Sequence, residues 1–178
     1  ERLKSYPHQL SGGMRQRVII AISVAAEPEL IIADEPTTAL DVTIQAQIIR
    51  LLRELTERNH NSLILITHNL ALVSEITDQL IVMYCGKIVE HGKTREVIRK
   101  SLHPYTRGLL NSIPKFGIKK SRLESIEGIV PNMFQLPKGC KFAPRCSIAK
   151  DKCRRIEPEK IEIGEHYFVA CHYPLLKP

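Results

Sequence analysis

The sequence predicts an α/β fold with a parallel sheet and helices, followed by a small, irregular extension that contains most of the cysteines. Two short apolar runs, at residues 30–33 and 63–66, alternate with helical patterns, which is typical of a parallel sheet with crossover helices. Residues 1–100 carry 12 basic and 12 acidic side chains, whereas residues 101–178 carry 14 and 7 and so account for the whole net charge of +7. We therefore predict two domains, 1–100 and 101–178.

The first predicted helix begins at Ser11-Gly12-Gly13 and ends near residue 27. Its apolar residues recur at helical spacing and share one face: Met14, Val18, Ile22 and Ala25. The apolar run at residues 30–33 follows and ends in Asp34-Glu35. An uninterrupted apolar run of this length predicts a buried strand of a parallel sheet.

A second helix is predicted over residues 42–59, because its apolar residues form one stripe with charged residues outside it. The stripe consists of Ile44, Ile48, Leu51, Leu52 and Leu55. The run at residues 63–66 predicts a second buried strand that ends at Thr67-His68. Asn69 is then placed to cap a third helix that reaches Asp78.

Residues 79–84 and 87–90 predict a β-hairpin that turns at Cys85-Gly86. A further short helix is predicted over residues 104–113, with Pro104 at its first position. Beyond this helix, few elements are predictable from the sequence. The longest apolar runs are broken within about ten residues, which predicts no transmembrane helix.

The segment at residues 10–17 is the first that suggests a binding function. Ser11 contributes a hydroxyl, and two glycines at a helix start let phosphate oxygens approach the backbone N–H groups and the positive end of the helix dipole. The alternative from the residues alone is an ordinary serine-capped helix after a glycine-rich turn.

Three further positions carry groups suited to nucleotide chemistry. Asp34, at a strand end, can bind Mg²⁺ or its water shell, and Glu35 can polarise an attacking water. His68, at the next strand end, can form a hydrogen bond with a phosphate or with that water. The alternative for Asp34 and Glu35 is an acidic turn at the strand end, and the alternative for His68 is a structural histidine. Asp41, which precedes the second predicted helix, could be a simple helix cap.

The order and spacing of these motifs resemble the ATP-binding cassette (ABC) ATPases. Residues 10–17 match the family's signature motif, residues 30–35 its Walker B motif with the catalytic glutamate, residues 39–41 its D-loop, and His68 its switch histidine. The resemblance implies that Glu35 and His68 are catalytic, that Asp34 binds Mg²⁺ and that Asp41 belongs to the D-loop. It also implies that the ATP of a partner subunit is contacted by Ser11, Gly12, Gly13 and Gln16.

Two motifs of the family do not occur in these 178 residues: the Walker A loop, G-x-x-x-x-G-K-[ST], and the glutamine loop that precedes the signature. The resemblance therefore covers only the C-terminal half of a P-loop-type ABC nucleotide-binding domain. Since residue 1 is Glu, we expect a fragment. In the family, two such domains bind two ATPs head to tail, so we expect this chain alone not to hydrolyse ATP.

The extension contains four cysteines, Cys140, Cys146, Cys153 and Cys171, among many basic residues. Four thiols suit an iron–sulfur cluster or a zinc ion, although structural zinc sites usually have closer pairs. Unconnected thiols remain the alternative, because disulfides are rare in the cytosol. The basic residues suit either an anionic cluster or a solvated surface near anionic lipid. Cys85 is predicted to be buried and inert.

Residues 102–110 and the cysteine segment resemble the C-terminal extension of the ABC subunits that energise prokaryotic importers of dipeptides and oligopeptides, with relatives for nickel. Members of that subfamily can carry a [4Fe–4S] cluster, with zinc as the alternative here. The resemblance implies a peripheral subunit on the cytoplasmic face of the cell membrane. Its partners would be a second ATPase subunit, two transmembrane permease subunits and, indirectly, an extracytoplasmic peptide-binding protein.

Three other functions fit parts of the pattern. DNA-repair and chromosome-organising ABC ATPases share the first four motifs but lack the His-Pro-Tyr and cysteine segments. Ribosome-associated ABC ATPases with iron–sulfur domains carry their cysteines before the cassettes, whereas here they follow. A non-catalytic truncated remnant is consistent with the missing Walker A loop. No nucleic-acid recognition motif accompanies the basic charge, so no nucleic-acid partner is predicted.

Overall fold

The computed structural model describes residues 4–113 and 125–176, which belong to two compact units, Glu1–Ile76 and Thr77–Pro178. The first unit contains α1 (Gly12–Val24), β1 (Leu30–Asp34), α2 (Val42–Asn59), β2 (Ser62–Ile66) and α3 (Leu70–Ile76). The second contains β3 (Gln79–Tyr84), β4 (Lys87–Lys93), α4 (Thr94–Lys100), α5 (Pro104–Asn111), α6 (Asp151–Arg155), β5 (Ile161–Gly164) and β6 (Tyr167–Val169).

Strands β1 and β2 form the predicted parallel pair, with α2 as the crossover helix between them. Leu30 lies opposite Ser62, and Asp34 lies opposite Ile66. Both strands therefore end at the same edge, where Glu35 and the residues after Ile66 leave the sheet. This register brings together sequence positions that are more than thirty residues apart.

The core of the first unit lies between this pair of strands and the helices α1 and α2. Ile20 of α1, Ala33 of β1, and Ile48 and Leu52 of α2 form one buried cluster. Leu51, Leu55 and Ile44 pack against it, which confirms the predicted apolar stripe of α2. Burial of this stripe, rather than intrinsic propensity, supplies most of the stability of such a helix.

The expectation that both strands are buried on two faces is wrong for this chain. Ile31 and Ala33 are buried, but Leu30 and Ile32, which point to the opposite face, are 46% and 62% exposed. The same holds in β2 for Ile64 and Ile66, both 48% exposed. The reason is that α1 and α2 cover one face, while the described residues of this unit place no element over the other.

The second unit is built around an antiparallel sheet with the strand order β3-β4-β6-β5. The predicted hairpin is confirmed, and its two turn residues have positive φ angles, 46° at Cys85 and 75° at Gly86. Two consecutive positive φ angles are the requirement of the type I′ hairpin turn. Cys85 is half-buried rather than fully buried.

The extension is more regular than its sequence suggests. β6 pairs with β4 through Glu90 and Val169, and β5 pairs with β6, so the last part of the chain shares a sheet with the hairpin. For this reason the compact units divide after Ile76, whereas the composition changes near residue 100. The domain boundary at 100 stays a prediction from composition. Among the described residues, no helix is long and apolar enough to cross a membrane.

Candidate functional site

Glu35 and His68 meet at the edge where β1 and β2 end. His68 Nδ1 lies 2.8 Å from Glu35 Oε1. Because a carboxylate can only accept, this contact places the histidine proton on Nδ1. Nε2 of the neutral ring is then an acceptor, suited to a water molecule, and it donates to a phosphate oxygen only when the ring is protonated.

The backbone at Glu35 is held in an uncommon conformation. Its φ angle is 45°, in the left-handed region that non-glycine residues rarely adopt. The Glu35 N–H donates to the Ile66 carbonyl (2.9 Å), and the Thr38 hydroxyl donates to Glu35 Oε2 (3.1 Å). Strained residues of this kind cluster at functional sites, where the surroundings enforce them. Here the turn directs the carboxylate toward His68.

The pKa of Glu35 is lowered from its ordinary value, chiefly by the hydrogen bond from His68, with a further contribution from the Thr38 hydroxyl against the opposing effect of desolvation. The carboxylate is therefore ionised at neutral pH, as a proton acceptor must be. The pair is open to solvent, since the His68 side chain is 82% exposed. Asp34, the residue before Glu35, is exposed at the end of β1.

The loop between β1 and α2 contains the predicted D-loop. Asp41 is the N-cap of α2, and its Oδ1 accepts a hydrogen bond from the Ile44 N–H (2.9 Å). Gln45 Nε2 donates to the carbonyls of Thr37 and Leu40, each at 3.2 Å. These contacts fix the loop to the first turn of α2. Asp41 thus has the cap role, and this leaves its predicted D-loop role untested.

The predicted signature residues form the start of α1. Ser11 is the N-cap, and its hydroxyl accepts from the Met14 N–H at 3.3 Å. Gly12 and Gly13 follow in the first turn, and Gln16 is half-buried one turn later. The first N–H groups of a helix have no intrahelical partner, so an exposed helix start with two glycines presents donors to an anion.

The glycines also have a packing role that the sequence did not reveal. A Cβ atom at Gly13 would lie 2.7 Å from Ile44 Cγ2, and one at Gly12 would lie 3.0 Å from Leu40 Cδ2. The first turn of α1 therefore packs directly against the D-loop side of α2. In this way the structure brings the signature residues next to the loop that carries Asp41.

The four cysteines of the extension line one small cavity, together with His103 and Phe142. None of the four is in a disulfide. The Cys140 N–H donates to the Cys153 carbonyl (2.8 Å), which joins the first cysteine loop to α6. Gly139 allows this approach, because a side chain there would overlap the backbone of Cys153 and Arg154. The predicted grouping of cysteines is therefore found as a shared cavity.

Burial raises the pKa of three of these thiols, Cys140, Cys146 and Cys171, and the pKa of Cys171 reaches about 11. Neighbouring cysteines raise the pKa of each further, because two thiolates in one cavity repel. These shifts favour protonated thiols, and a bound cation would have to displace their protons. Over residues 4–113 and 125–176, no group of three or more His, Cys, Asp or Glu side chains has the geometry of a metal site.

Three of the basic residues around the cysteines have partners elsewhere: Lys141, Arg145 and Lys150. Lys141 Nζ donates to the Pro137 carbonyl (2.7 Å) and pairs with Glu157 (3.3 Å). Arg145 donates to the carbonyls of residues 126 and 127, and Lys150 lies 4.3 Å from the centre of the Tyr173 ring. These three cations therefore stabilise the loops. Of the three, Lys141 lowers the pKa of Cys140, as a minor contribution.

Two functional-site neighbours were missed by the sequence analysis, His103 and Glu90. Both are fully buried in the second unit. The pKa of His103 is lowered to about 4 because the ring is removed from water. The available signal was the His-Pro-Tyr segment itself, in which His103 precedes the proline that starts α5.

The parallel β1–α2–β2 unit, the acidic strand end with its paired histidine, and the capped glycine helix define the C-terminal part of an ABC-type nucleotide-binding domain. Residues 1–38 match the family model of the ABC transporter, and residues 89–153 match that of the oligopeptide/dipeptide transporter, C-terminal region. On these matches the chain is similar to the ATP-binding proteins of dipeptide and oligopeptide ABC transporters.

Individual relatives support this assignment. The chain is 56% identical over 174 residues to the dipeptide transport ATP-binding protein DppD of Haemophilus influenzae, covering 98% of this chain and 52% of that protein. It is 54% identical over 169 residues to the oligopeptide transport ATP-binding protein AppD of Bacillus subtilis, covering 95% and 52%. The chain thus spans about half the length of the curated relatives it matches.

A solved structure also shares the fold. It is a metal-chelate type ABC transporter in an inward-facing conformation, 31% identical, with a TM-score of 0.50, covering 58% of this chain and 39% of that one. The similarity in fold therefore includes a protein described as a metal-chelate type transporter, in addition to the peptide transport proteins found by sequence.

Proposed function

We propose that this chain is the C-terminal part of a subunit that hydrolyses ATP to energise the import of dipeptides or oligopeptides across a prokaryotic cell membrane. The observation that carries the proposal is the Glu35–His68 pair, 2.8 Å apart at the common end of two parallel strands and directly after Asp34. On the basis of the family resemblance, the proposal also includes a peripheral position on the cytoplasmic face of the membrane, a second ATPase subunit, two permease subunits and an extracytoplasmic binding protein.

The proposed chemistry is attack of water on the γ-phosphorus of ATP. The Glu35 carboxylate accepts the proton of that water, the new P–O bond forms, and the bond to the oxygen bridging the β- and γ-phosphorus breaks, which releases ADP and phosphate. His68 holds the Glu35 carboxylate in place and orients the water. Asp34 would hold Mg²⁺, which neutralises phosphate charge when bound.

Transport of labelled substrates tests this function. The full-length protein, its partner ATPase, the permease subunits and the binding protein are reconstituted in lipid vesicles. We expect ATP-dependent uptake of a labelled dipeptide or oligopeptide. Uptake of nickel without peptide, or ATP hydrolysis with no uptake of either, would contradict the proposed substrate class.

The isolated chain is expected to be catalytically silent. Phosphoryl transfer depends on positioning and charge stabilisation by the Walker A loop and its lysine, and the 178 residues contain neither. Purified 178-residue protein should release no phosphate from ATP above the background of a Glu35→Gln version of the same polypeptide. Release that exceeds this background would show that the residues present suffice for hydrolysis.

The signature residues are proposed to act on the ATP of the partner subunit. Ser11→Arg places a bulky cation at the helix start and blocks the close approach of an anion, while the Gly13–Ile44 packing is left intact. In mixed dimers of full-length protein, one Ser11→Arg subunit should abolish hydrolysis at the Walker A site of the other subunit. A defect at the mutated subunit's own Walker A site would refute the head-to-tail arrangement.

We also propose that Cys140, Cys146, Cys153 and Cys171 bind a [4Fe–4S] cluster. Support comes from the donor set: four free thiols line one cavity, and four thiolates are the usual complement of this cluster. When bound, the cluster would supply either a covalent staple for the extension or a one-electron redox centre. The staple is favoured, because over residues 125–160, the described part of the chain between α5 and β5, the one α-helix is the five-residue α6.

A further inference from the structure

The loop between β1 and α2 is strained near both of its ends. Glu35, at its start, has a φ angle of 45°, and Ala39, near its end, has a φ angle of 61°. Both angles lie in the left-handed region, which costs free energy for a residue with a Cβ atom. Such a conformation persists only where neighbouring groups enforce it. The contacts of this loop with the helices therefore decide where the Glu35 carboxylate lies.

Gln45, in the first turn of α2, supplies two of these contacts through one group. Its Nε2 donates to the carbonyl oxygens of Thr37 and Leu40, each at 3.2 Å. A side-chain amide nitrogen carries two protons, so each carbonyl can accept one of them. The opposite orientation of the amide is excluded, because its oxygen would then face two oxygens that can only accept. The half-buried Gln45 side chain thus has one defined orientation toward the loop.

The hydrogen bond to Thr37 reaches Glu35 through a single peptide group. The Thr37 carbonyl and the Thr38 N–H belong to one planar unit, and that N–H donates to the Glu35 carbonyl at 3.2 Å. Gln45 therefore holds one side of the plane, and Glu35 holds the other. The Thr38 hydroxyl donates to Glu35 Oε2 at 3.1 Å. The orientation of the Glu35 carboxylate thus depends on a peptide plane that Gln45 fixes.

The hydrogen bond to Leu40 holds the other end of the loop beside the predicted signature residues. A Cβ atom added at Gly12 would lie 3.0 Å from Leu40 Cδ2, so the Leu40 side chain packs closely against the start of α1. Its carbonyl is held by Gln45. Leu40 is therefore fixed both by its side chain and by its backbone, which ties the strained loop to α1 and to α2.

We propose that Gln45 is a positioning residue for ATP hydrolysis, which keeps the Glu35 carboxylate in the geometry that accepts the proton of the attacking water. This inference rests on the proposed function of Glu35 as the general base. Gln45 acts through the Thr37–Thr38 peptide group, and its role requires no contact with the nucleotide. Loss of the Nε2 donor should therefore lower kcat and leave the affinity for ATP unchanged.

Two variants remove this donor in different ways. Gln45→Glu keeps the shape of the side chain and replaces Nε2 by an oxygen, and α2 should still form because a negative charge in the first turn of a helix is favourable. Gln45→Met removes the donor without adding a charge and keeps a good helix former. Gln47→Glu and Gln47→Met are the matched controls, because Gln47 is exposed on the same helix and accepts from Arg17 of α1.

All four variants are made in the full-length protein, and kcat and the Kd of ATP are measured for each. We expect both Gln45 variants to have about a tenfold lower kcat with an unchanged Kd, since a misplacement of about 1 Å can cost up to ~10²-fold in rate. The Gln47 variants should match the unaltered protein. A normal kcat in either Gln45 variant, an equal loss in the Gln47 variants, or a weaker affinity for ATP that parallels the loss of kcat would overturn the inference.

Glu35→Gln, measured alongside, separates this inference from the proposed function. Normal turnover in Glu35→Gln would refute the role of Glu35 itself. If Glu35→Gln is inactive and the Gln45 variants are normal, only the role of Gln45 is refuted.

Hydrogen exchange followed by mass spectrometry tests the loop directly, including the case in which Gln45→Met does not fold. In Gln45→Glu, the amides of residues 35–41 should exchange faster than in the unaltered protein, because a loop that has lost two of its hydrogen bonds opens more often. The amides of α1 should exchange at the same rate in both proteins. Equal exchange over residues 35–41 would show that Gln45 does not hold the loop.

Discussion

Replacing Glu35 by glutamine lowers ATP hydrolysis by the full-length protein by about 10²–10⁴-fold, the usual contribution of a positioned general base. Glutamine keeps the size of the side chain, and its amide oxygen can still accept from His68 Nδ1, which lies 2.8 Å from the carboxylate in the structure. It cannot take the proton of the attacking water. ATP binding should therefore persist while turnover stops.

Phosphate release and nucleotide binding are measured on the same preparation. Glu54→Gln is the control, because Glu54 is exposed on α2 and lies on the outer side of its apolar stripe. It should leave hydrolysis unchanged. If Glu35→Gln hydrolyses ATP at a near-normal rate, the general base lies elsewhere, and the pairing of Glu35 with His68 has only a structural role.

The elements that the sequence predicts well are those whose pattern is local. The apolar stripe of α2 is sufficient to place that helix at residues 42–59, since its burial requires helical spacing. The hairpin is equally local, because Cys85-Gly86 can supply the two positive φ angles. The proximity of Glu35 and His68 follows from two parallel strands whose ends coincide.

Elements that depend on distant partners were not predictable. β6 has three residues and pairs with β4, whose sequence position is more than seventy residues earlier. β5 is exposed along its whole length, and its Ile-Glu-Ile alternation spans only three residues. The exposed faces of β1 and β2 differ from expectation for the same reason: an apolar run predicts a strand with two covered faces, but in the described part of this unit α1 and α2 cover only one face.

The candidate sites follow the same division. The motifs identify Ser11, Asp34, Glu35 and His68 by residue type and spacing, and the strand register brings Glu35 and His68 into contact. Glu90 and His103 escaped notice, because a single buried glutamate or histidine has no sequence pattern. Only the folded structure shows that the Glu90 carboxylate accepts hydrogen bonds from the N–H groups of Leu102 and His103. It also shows that His103 lines a cavity with the four cysteines.

Changing any one of Cys140, Cys146, Cys153 or Cys171 to serine should remove most of the iron from anaerobically purified full-length protein. The unaltered protein should be brown and contain about four irons per chain, the number in one [4Fe–4S] cluster. A serine oxygen is a harder ligand than a thiolate and retains such a cluster poorly. Because the four thiols line one cavity, loss of one should also expose residues 131–178 to limited proteolysis.

Cys85→Ser is the matched control, since Cys85 lies in the β3–β4 turn and does not line the cavity. Its iron content and protease resistance should equal those of the unaltered protein. Burial keeps the thiols of Cys140, Cys146 and Cys171 protonated, so reconstitution of iron-free protein should release protons and become less complete as the pH falls. If the anaerobic protein is colourless and contains about one zinc per chain, the cluster assignment is wrong. The same four thiolates would then bind a structural zinc ion tetrahedrally.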